Sequence, residues 1–188
     1  MKYVIIQLLA GIIAVNALAQ NVNPKTGLSW GFPDIDSLSR VLYSARYVPF
    51  DVTTLDGKRL TNESCKGKVT FINFWFMFCQ PCREEFGKLN DLYDSLKNDT
   101  AYQFVAISFD PKEALPEFIR KAGIHYPVAT VGDKAESKRL NYGMGYPGSI
   151  IIDKYGRIRF IAMKGIAEKE GPYKMTLPSV LAIMKKLR

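Results

Sequence analysis

Residues 69–86 read VTFINFWFMFCQPCREEF. From Val69 to Phe78 the chain is apolar or aromatic except for Thr70 and Asn73, with no alternation of polar and apolar residues. Such a run predicts a strand buried on both faces, which needs cover on either side of its sheet. It stops at Cys79-Gln80-Pro81-Cys82, after which Phe86, Leu89, Leu92, Tyr93 and Leu96 recur at spacings of three and four. That is one apolar face of a helix. A doubly buried strand running into an amphipathic helix points to an α/β protein and places two cysteines at the joint.

The rest of the chain fits this frame. Pro49–Thr54 and Lys58–Leu60 flank Asp56-Gly57, a hairpin turn signal. Gln103–Phe109, closed by Asp110-Pro111, predicts a second buried strand, and residues 112–122 a helix whose start Pro116 disturbs and whose end Gly123 marks. A short strand, Tyr126–Thr130, and a helix from Asp133 to about Tyr142 follow. Ser149–Ile152 and Arg157–Met163 form strands around the turn Asp153-Lys154-Tyr155-Gly156, and a last helix starts near Thr176. The chain has 188 residues, enough for one domain with an ordinary core.

Residues 1–19 stand apart: Lys2, an apolar core from Val4 to Val15, and Ala17-Leu18-Ala19 predict a signal peptide cut before Gln20. A retained N-terminal anchor is the alternative. Residues 20–46 are expected to be an N-terminal extension, with one short helix over Asp34–Tyr43, and residues 47–188 the main domain. Export places the cysteines where pairs can oxidise.

If Cys79 opens the helix, its sulfur meets unpaired N–H groups and the positive end of the helix dipole. Both favour the thiolate and lower the pKa below the free value of about 8.5. Cys82, one turn inward, suits a resolving thiol, and Pro81 sits where its missing N–H costs little. Two other uses compete. A stapling disulfide across so short a loop is worth roughly 2 kcal/mol, which is modest. Half of a zinc site needs two more ligands, and only Cys65 and His125 are at hand.

The segment Trp75-Phe76-Met77-Phe78-Cys79-Gln80-Pro81-Cys82-Arg83-Glu84-Glu85-Phe86 resembles the active-site segment of the thioredoxin superfamily. It is most similar to the exported TlpA/ResA-like branch, and the likeness runs from about Tyr47 to Arg188. Tyr146-Pro147 before a strand ending in Asp153 is the second motif that carries it. The resemblance implies a thioredoxin-like sandwich: a central mixed β-sheet flanked by helices, with an N-terminal hairpin and an inserted helix. It implies a thiol–disulfide oxidoreductase with Cys79 as nucleophile and Cys82 as resolving thiol, needing no cofactor. It further implies a cis-Pro147 facing the cysteines, with Tyr146, Pro147, Trp75 and Phe78 on the substrate side. Thioredoxin carries an aspartate where this chain has Asn73, which exchanges no proton. Glu85 matches the acidic residue of the exported branch. It shares a helix side with Cys82 beside the Phe86 and Leu89 stripe, where burial raises a carboxyl pKa toward useful proton exchange.

Expected partners are exported proteins with thiols or disulfides, apocytochrome among them in cytochrome c maturation, and a membrane electron donor. The chain is expected to act as a monomer in the periplasm or otherwise outside the cytoplasm. Nucleic acid is not expected. The net charge is +8, but apart from Lys185, Lys186 and Arg188 the basic residues are scattered along the chain. Cys65 is expected to be a shielded free thiol or else a regulatory disulfide partner, and His125 to be structural. Two alternative functions share the fold. A peroxiredoxin-like peroxidase would place threonine and proline where Phe76 and Ile72 stand. A copper-binding metallochaperone module would enlist His125 with the cysteines.

Overall fold

The computed structural model describes residues 35–163, 166 and 175–188. The expected signal peptide, most of the N-terminal extension and, apart from Ile166, residues 164–174 lie outside these residues. Among the described residues, no helix is long and apolar enough to cross a membrane.

Five strands form the main sheet: β3 (Val69–Trp75), β4 (Tyr102–Ser108), β5 (Val128–Thr130), β6 (Gly148–Ile152) and β7 (Ile158–Met163). Their order is β5-β4-β3-β6-β7. The first three run parallel, β6 runs antiparallel to β3, and β7 antiparallel to β6. A hairpin of β1 (Asp51–Thr53) and β2 (Arg59–Thr61) precedes them.

Every residue of β3 is buried, as its uninterrupted apolar pattern predicts. One face, carrying Ile72, Phe74, Val105 and Ile107, is covered by Leu38 and Leu42 of helix α1 (Ile35–Leu42) and by Leu60 of the hairpin. Phe71, Trp75, Phe104 and Ile151 lie on the other face. There they meet Phe86, Leu89 and Leu92 of α2 (Gln80–Leu96), Leu115 of α3 (Leu115–Ala122) and Val180 and Met184 of α5 (Leu177–Leu187). Each such side chain, fully buried, stabilises the fold by about 1.5–3 kcal/mol before entropy is counted.

Unpaired sheet edges invite aggregation, and each is covered in part here. The Ala45 carbonyl and Ser44 N–H bond Ile158 along β7, while Leu55 N–H bonds the Val128 carbonyl along β5. Residues 43–46 are therefore part of the sheet's finish.

Element ends differ from the sequence reading by a few residues. The apolar run continues to Phe78, but the strand stops at Trp75 because Met77 N–H leaves the ladder for the Asp110 carboxylate at 2.7 Å. The strand expected from Tyr126 begins at Val128. Pro116 lies in the first turn of α3, behind a single 3₁₀ turn at Lys112–Ala114. Gly123 ends α3 in the left-handed region at φ 67°, a conformation that favours glycine. Asp133 caps α4 (Lys134–Leu140) by accepting from Glu136 N–H at 2.7 Å.

Candidate active site

The carboxyl ends of the parallel strands converge on one pole, and Cys79 is placed there by the turn that follows β3. Cys79 is the N-cap of α2, in extended conformation, and its Sγ accepts the Cys82 N–H at 3.3 Å. The two cysteines form a disulfide with Cα atoms 5.2 Å apart. Cys82 is fully buried and Cys79 retains a small exposed edge of 4%. The outer sulfur is thus the one open to attack or to attacking. A side chain at an N-cap faces the unpaired N–H groups of the first turn, which stabilise negative charge on sulfur.

The turn between strand and cysteines is fixed by a residue that sequence reasoning passed over as a strand terminator. Asp110 is buried and accepts from Met77 N–H at 2.7 Å and Ser108 Oγ at 2.6 Å, while Thr130 Oγ1 donates to its carbonyl at 2.7 Å. Its carboxylate therefore ties the ends of β3 and β4 together, and its main-chain carbonyl adds the end of β5, at the cysteine turn. The Asp-Pro dipeptide signalled only that a strand ended.

Beneath the disulfide lies Glu85, three residues along α2 from Cys82 and buried to 2% exposure. Its Oε1 accepts from Asn73 Nδ2 at 3.0 Å and its Oε2 from Ile166 N–H at 2.8 Å. Burial pushes its pKa up to about 7 from the ordinary 4.5, although the Ile166 amide, the Asn73 amide and Lys88 each pull it down. Asn73 also reaches Ser149 Oγ at 3.2 Å and the Gly148 carbonyl at 3.4 Å, so it joins α2 to β6 across β3. The position that holds an aspartate in thioredoxin thus orients the glutamate here.

The Tyr146–Pro147 bond is cis. Phe74 pairs with Gly148, so continuing the antiparallel register sets Pro147 opposite Trp75 and Tyr146 opposite Phe76. The rings of Phe76 and Tyr146 meet edge-on at 5.4 Å, and Phe109 completes a triangle with centroids 5.1 Å from Phe76 and 5.4 Å from Tyr146. Tyr146 Oη donates to Ser137 Oγ at 2.8 Å. Among the described residues, neither main-chain group of Tyr146 takes a backbone partner.

The expected site residues separate into two groups. Cys79, Cys82 and Glu85 lie on consecutive turns of one helix, and Phe78, 85% exposed, stands at the cysteine mouth. Trp75 requires a correction. It was expected on the substrate side, but it is fully buried, stacked on Phe118 at 5.7 Å and edge-on to Phe86 at 5.3 Å. Alternation along β3 turns it into the core behind α2, so it supports the helix from within.

His125 does not approach the cysteines. Its Nε2 contacts Asp94 at 3.1 Å, and Asp94 lies twelve residues beyond Cys82 on the same helix, about 18 Å along the axis. Cys65 is a free, buried thiol that accepts from Gln103 Nε2 at 3.2 Å, and burial raises its pKa.

Comparison with known proteins agrees with this arrangement. The sequence profile of the AhpC/TSA family matches residues 45–161. A thiol-disulfide oxidoreductase ResA of Bacillus thuringiensis (strain Al Hakam) is 36% identical over 111 residues, which cover 58% of this chain and 62% of that protein. The protein of the same name from Bacillus thuringiensis subsp. konkukian is 34% identical over 123 residues, 64% of this chain and 69% of its own. A thiol:disulfide interchange protein of the thioredoxin family from Chlorobium tepidum superposes with a TM-score of 0.56 at 24% identity. That match covers 76% of this chain and 94% of that one, and it shows the shared fold.

Proposed function

The chain belongs to the AhpC/TSA family of thioredoxin-fold proteins, and from that membership and the site geometry we propose that it is a thiol–disulfide oxidoreductase. The observation that carries the proposal is the Cys79–Cys82 disulfide capping α2 directly above a buried carboxyl group.

In the reduced protein, Cys79 thiolate attacks one sulfur of a substrate disulfide, and the other leaves as a thiolate that takes up a proton. Cys82 then attacks the Cys79 sulfur of the mixed disulfide and releases the second substrate thiol. Two electrons pass from the pair to the substrate. Cys82 must lose its proton in an enclosed site, and Glu85, one turn away and with its pKa near 7, is the group suited to receive it. Run backwards, the same steps oxidise a dithiol and Glu85 returns the proton. An extended substrate segment is held by the free main-chain groups of Tyr146 beside Pro147, with Phe78 as an apolar lip.

Reduction of exported proteins, apocytochrome among them, is the direction we propose. A membrane electron donor recharges the pair, and the mature chain works as a monomer outside the cytoplasm after cleavage near Ala19. The likeness to proteins named ResA supports this reading. A peroxidase is disfavoured by the ring of Phe76, packed on Phe109 and Tyr146 where a hydroxyl would be required. A copper module is disfavoured by the distance of His125.

Insulin reduction with a dithiol donor tests the proposal. Cys79→Ser is expected to abolish turnover, while Cys82→Ser accumulates a mixed disulfide visible on a non-reducing gel. Full turnover by Cys79→Ser would sink it.

A further inference from the structure

Basic residues scattered through the sequence gather at the end of the fold opposite the cysteines. Strands β3, β4 and β5 direct their carboxyl ends toward Cys79, so their amino ends, the β6–β7 turn and the last turns of α2 and α5 share the other pole. β3 alone separates the two poles by about 20 Å.

Contacts across this pole are continuous. Arg46 Nη1 donates to the Tyr155 carbonyl at 3.4 Å. Lys154 Nζ lies 5.8 Å from the Tyr155 ring centre and donates to the Arg188 carbonyl at 3.1 Å. The Lys154 carbonyl accepts Gly67 N–H at 2.8 Å, which brings Lys66 and Lys68 alongside. Arg157 Nη1 donates to the Ser44 carbonyl at 2.8 Å.

Apart from the exposed Asp91 on α2, the carboxylates here are already engaged, Asp94 with Lys97 at 2.7 Å among them. Asp153 pairs with Arg159 at 2.6 Å, Asp99 with Arg188 at 2.9 Å and Glu63 with Lys66 at 2.5 Å. Among the described residues, Arg46, Lys68, Arg157, Lys185 and Lys186 have no ion-pair partner. The cysteine pole is mixed by contrast: Glu84, Glu113 and Glu136 stand among Arg83, Lys112 and Lys134. Two tyrosines, Tyr43 at 61% and Tyr155 at 63% exposure, project from the basic pole, with Arg159 over the Tyr43 ring at 5.5 Å.

Unpaired cations interleaved with exposed tyrosines are the composition that suits the boundary between water and anionic headgroups. The cations come from the 43–46 loop, the 65–68 turn, the β6–β7 hairpin and α5, and so spread over the whole end of the molecule. A bilayer offers negative charge over an area of that kind. We propose that this pole docks on an anionic bilayer surface, which leaves the cysteine pole turned toward the aqueous side. The inference stands on charge and topology and does not depend on thiol chemistry.

Hydrogen exchange on the full chain tests it, comparing vesicles of phosphatidylcholine with vesicles containing phosphatidylglycerol. Any insertion of the apolar Val4–Val15 segment is common to both. The expected result is slowed exchange across residues 153–157 and 43–46 only with the anionic lipid, reversed at 1 M salt, where the screening length falls to about 3 Å. The triple variant Arg46→Gln, Lys154→Gln, Lys186→Gln is expected to weaken this lipid-dependent protection on the order of 100-fold. Its insulin reduction in solution should be unchanged, which verifies its fold. Equal exchange with both lipids, or protection that survives in the triple variant, would overturn the proposal. Equal protection by a soluble acidic peptide would overturn it in favour of an acidic protein partner.

Discussion

Two buried carboxylates sit at opposite ends of the sheet and show how differently the fold treats the same chemical group. Asp153, in the β6–β7 turn, accepts from Tyr155 N–H at 2.9 Å and Arg157 N–H at 3.0 Å through one oxygen, and from Arg159 Nε at 2.6 Å through the other. Burial alone would raise its pKa, but the two amides and the guanidinium outweigh that and hold it below the ordinary value. Glu85 has two donors, both uncharged, and there burial prevails. A carboxylate surrounded by donors and a cation serves as a clamp. One left short of compensation near neutral pH can give and take a proton.

The largest effect expected from this contrast is on stability, at the clamp. Asp153→Ala leaves Arg159 and two turn amides without their acceptor. It should cost about 3–4 kcal/mol, lowering the melting temperature by roughly 10 °C in calorimetry. Thiol exchange at 20 °C should be unaffected. A fall in exchange rate as large as that from a cysteine variant would mean that the two ends are coupled.

Glu85→Gln should have the opposite signature. An amide keeps the Ile166 bond through its oxygen; its NH2 group replaces an oxygen that accepted from Asn73 Nδ2, so the Asn73 amide must turn its unpartnered Oδ1 toward it, and no charge is left to bury. The oxidised protein should gain about 2 kcal/mol at pH 8, while insulin reduction at pH 7 slows roughly 100-fold. Loss of both stability and rate would reduce Glu85 to a structural role.

The pH dependence follows with its sign. A carboxyl whose folded pKa is raised contributes its stability below the unfolded value and loses it as pH rises. Oxidised protein should therefore lose about 3 kcal/mol between pH 4.5 and about 7 through Glu85. This limb should be absent in Glu85→Gln. Asp153 works in the other direction: its contribution is present above the ordinary carboxyl pKa and is lost as pH falls through the depressed folded value. Denaturant titrations across pH read both limbs.

The smallest effect is expected at the rim. Phe78→Ala removes an 85% exposed ring and should alter stability by no more than about 0.5 kcal/mol. The KM for a protein disulfide should rise several-fold while that for a small disulfide stays constant. Equal changes for both would show that the ring shields the cysteines without contacting substrate.

The strand-to-helix joint was legible because burial on both faces and helical periodicity are local patterns. Cys79 as N-cap, Glu85 on the Cys82 side and the β6–β7 turn all follow from them. What was hidden depends on juxtaposition. Asn73 and Glu85 each drew notice in the sequence, but their contact needs β3 and α2 packed face to face. Asp110 looked like a strand end because its ligand, Met77 N–H, is thirty-three positions away. Trp75 was misplaced because an aromatic run gives no sign of where the strand stops and alternation ceases to apply. The basic pole is legible only once segments remote in sequence are brought together.

Cys65 gives the experimenter a built-in gauge. In the reduced native protein a slow thiol reagent should label Cys79 at its exposed edge and spare Cys65, the third thiol of the chain, which is sealed beside Gln103. The third should appear only as fast as the domain opens, so its labelling rate records how often the whole core comes apart. Sealing it away from Cys79 and Cys82 also keeps the redox pair from choosing the wrong partner within its own chain.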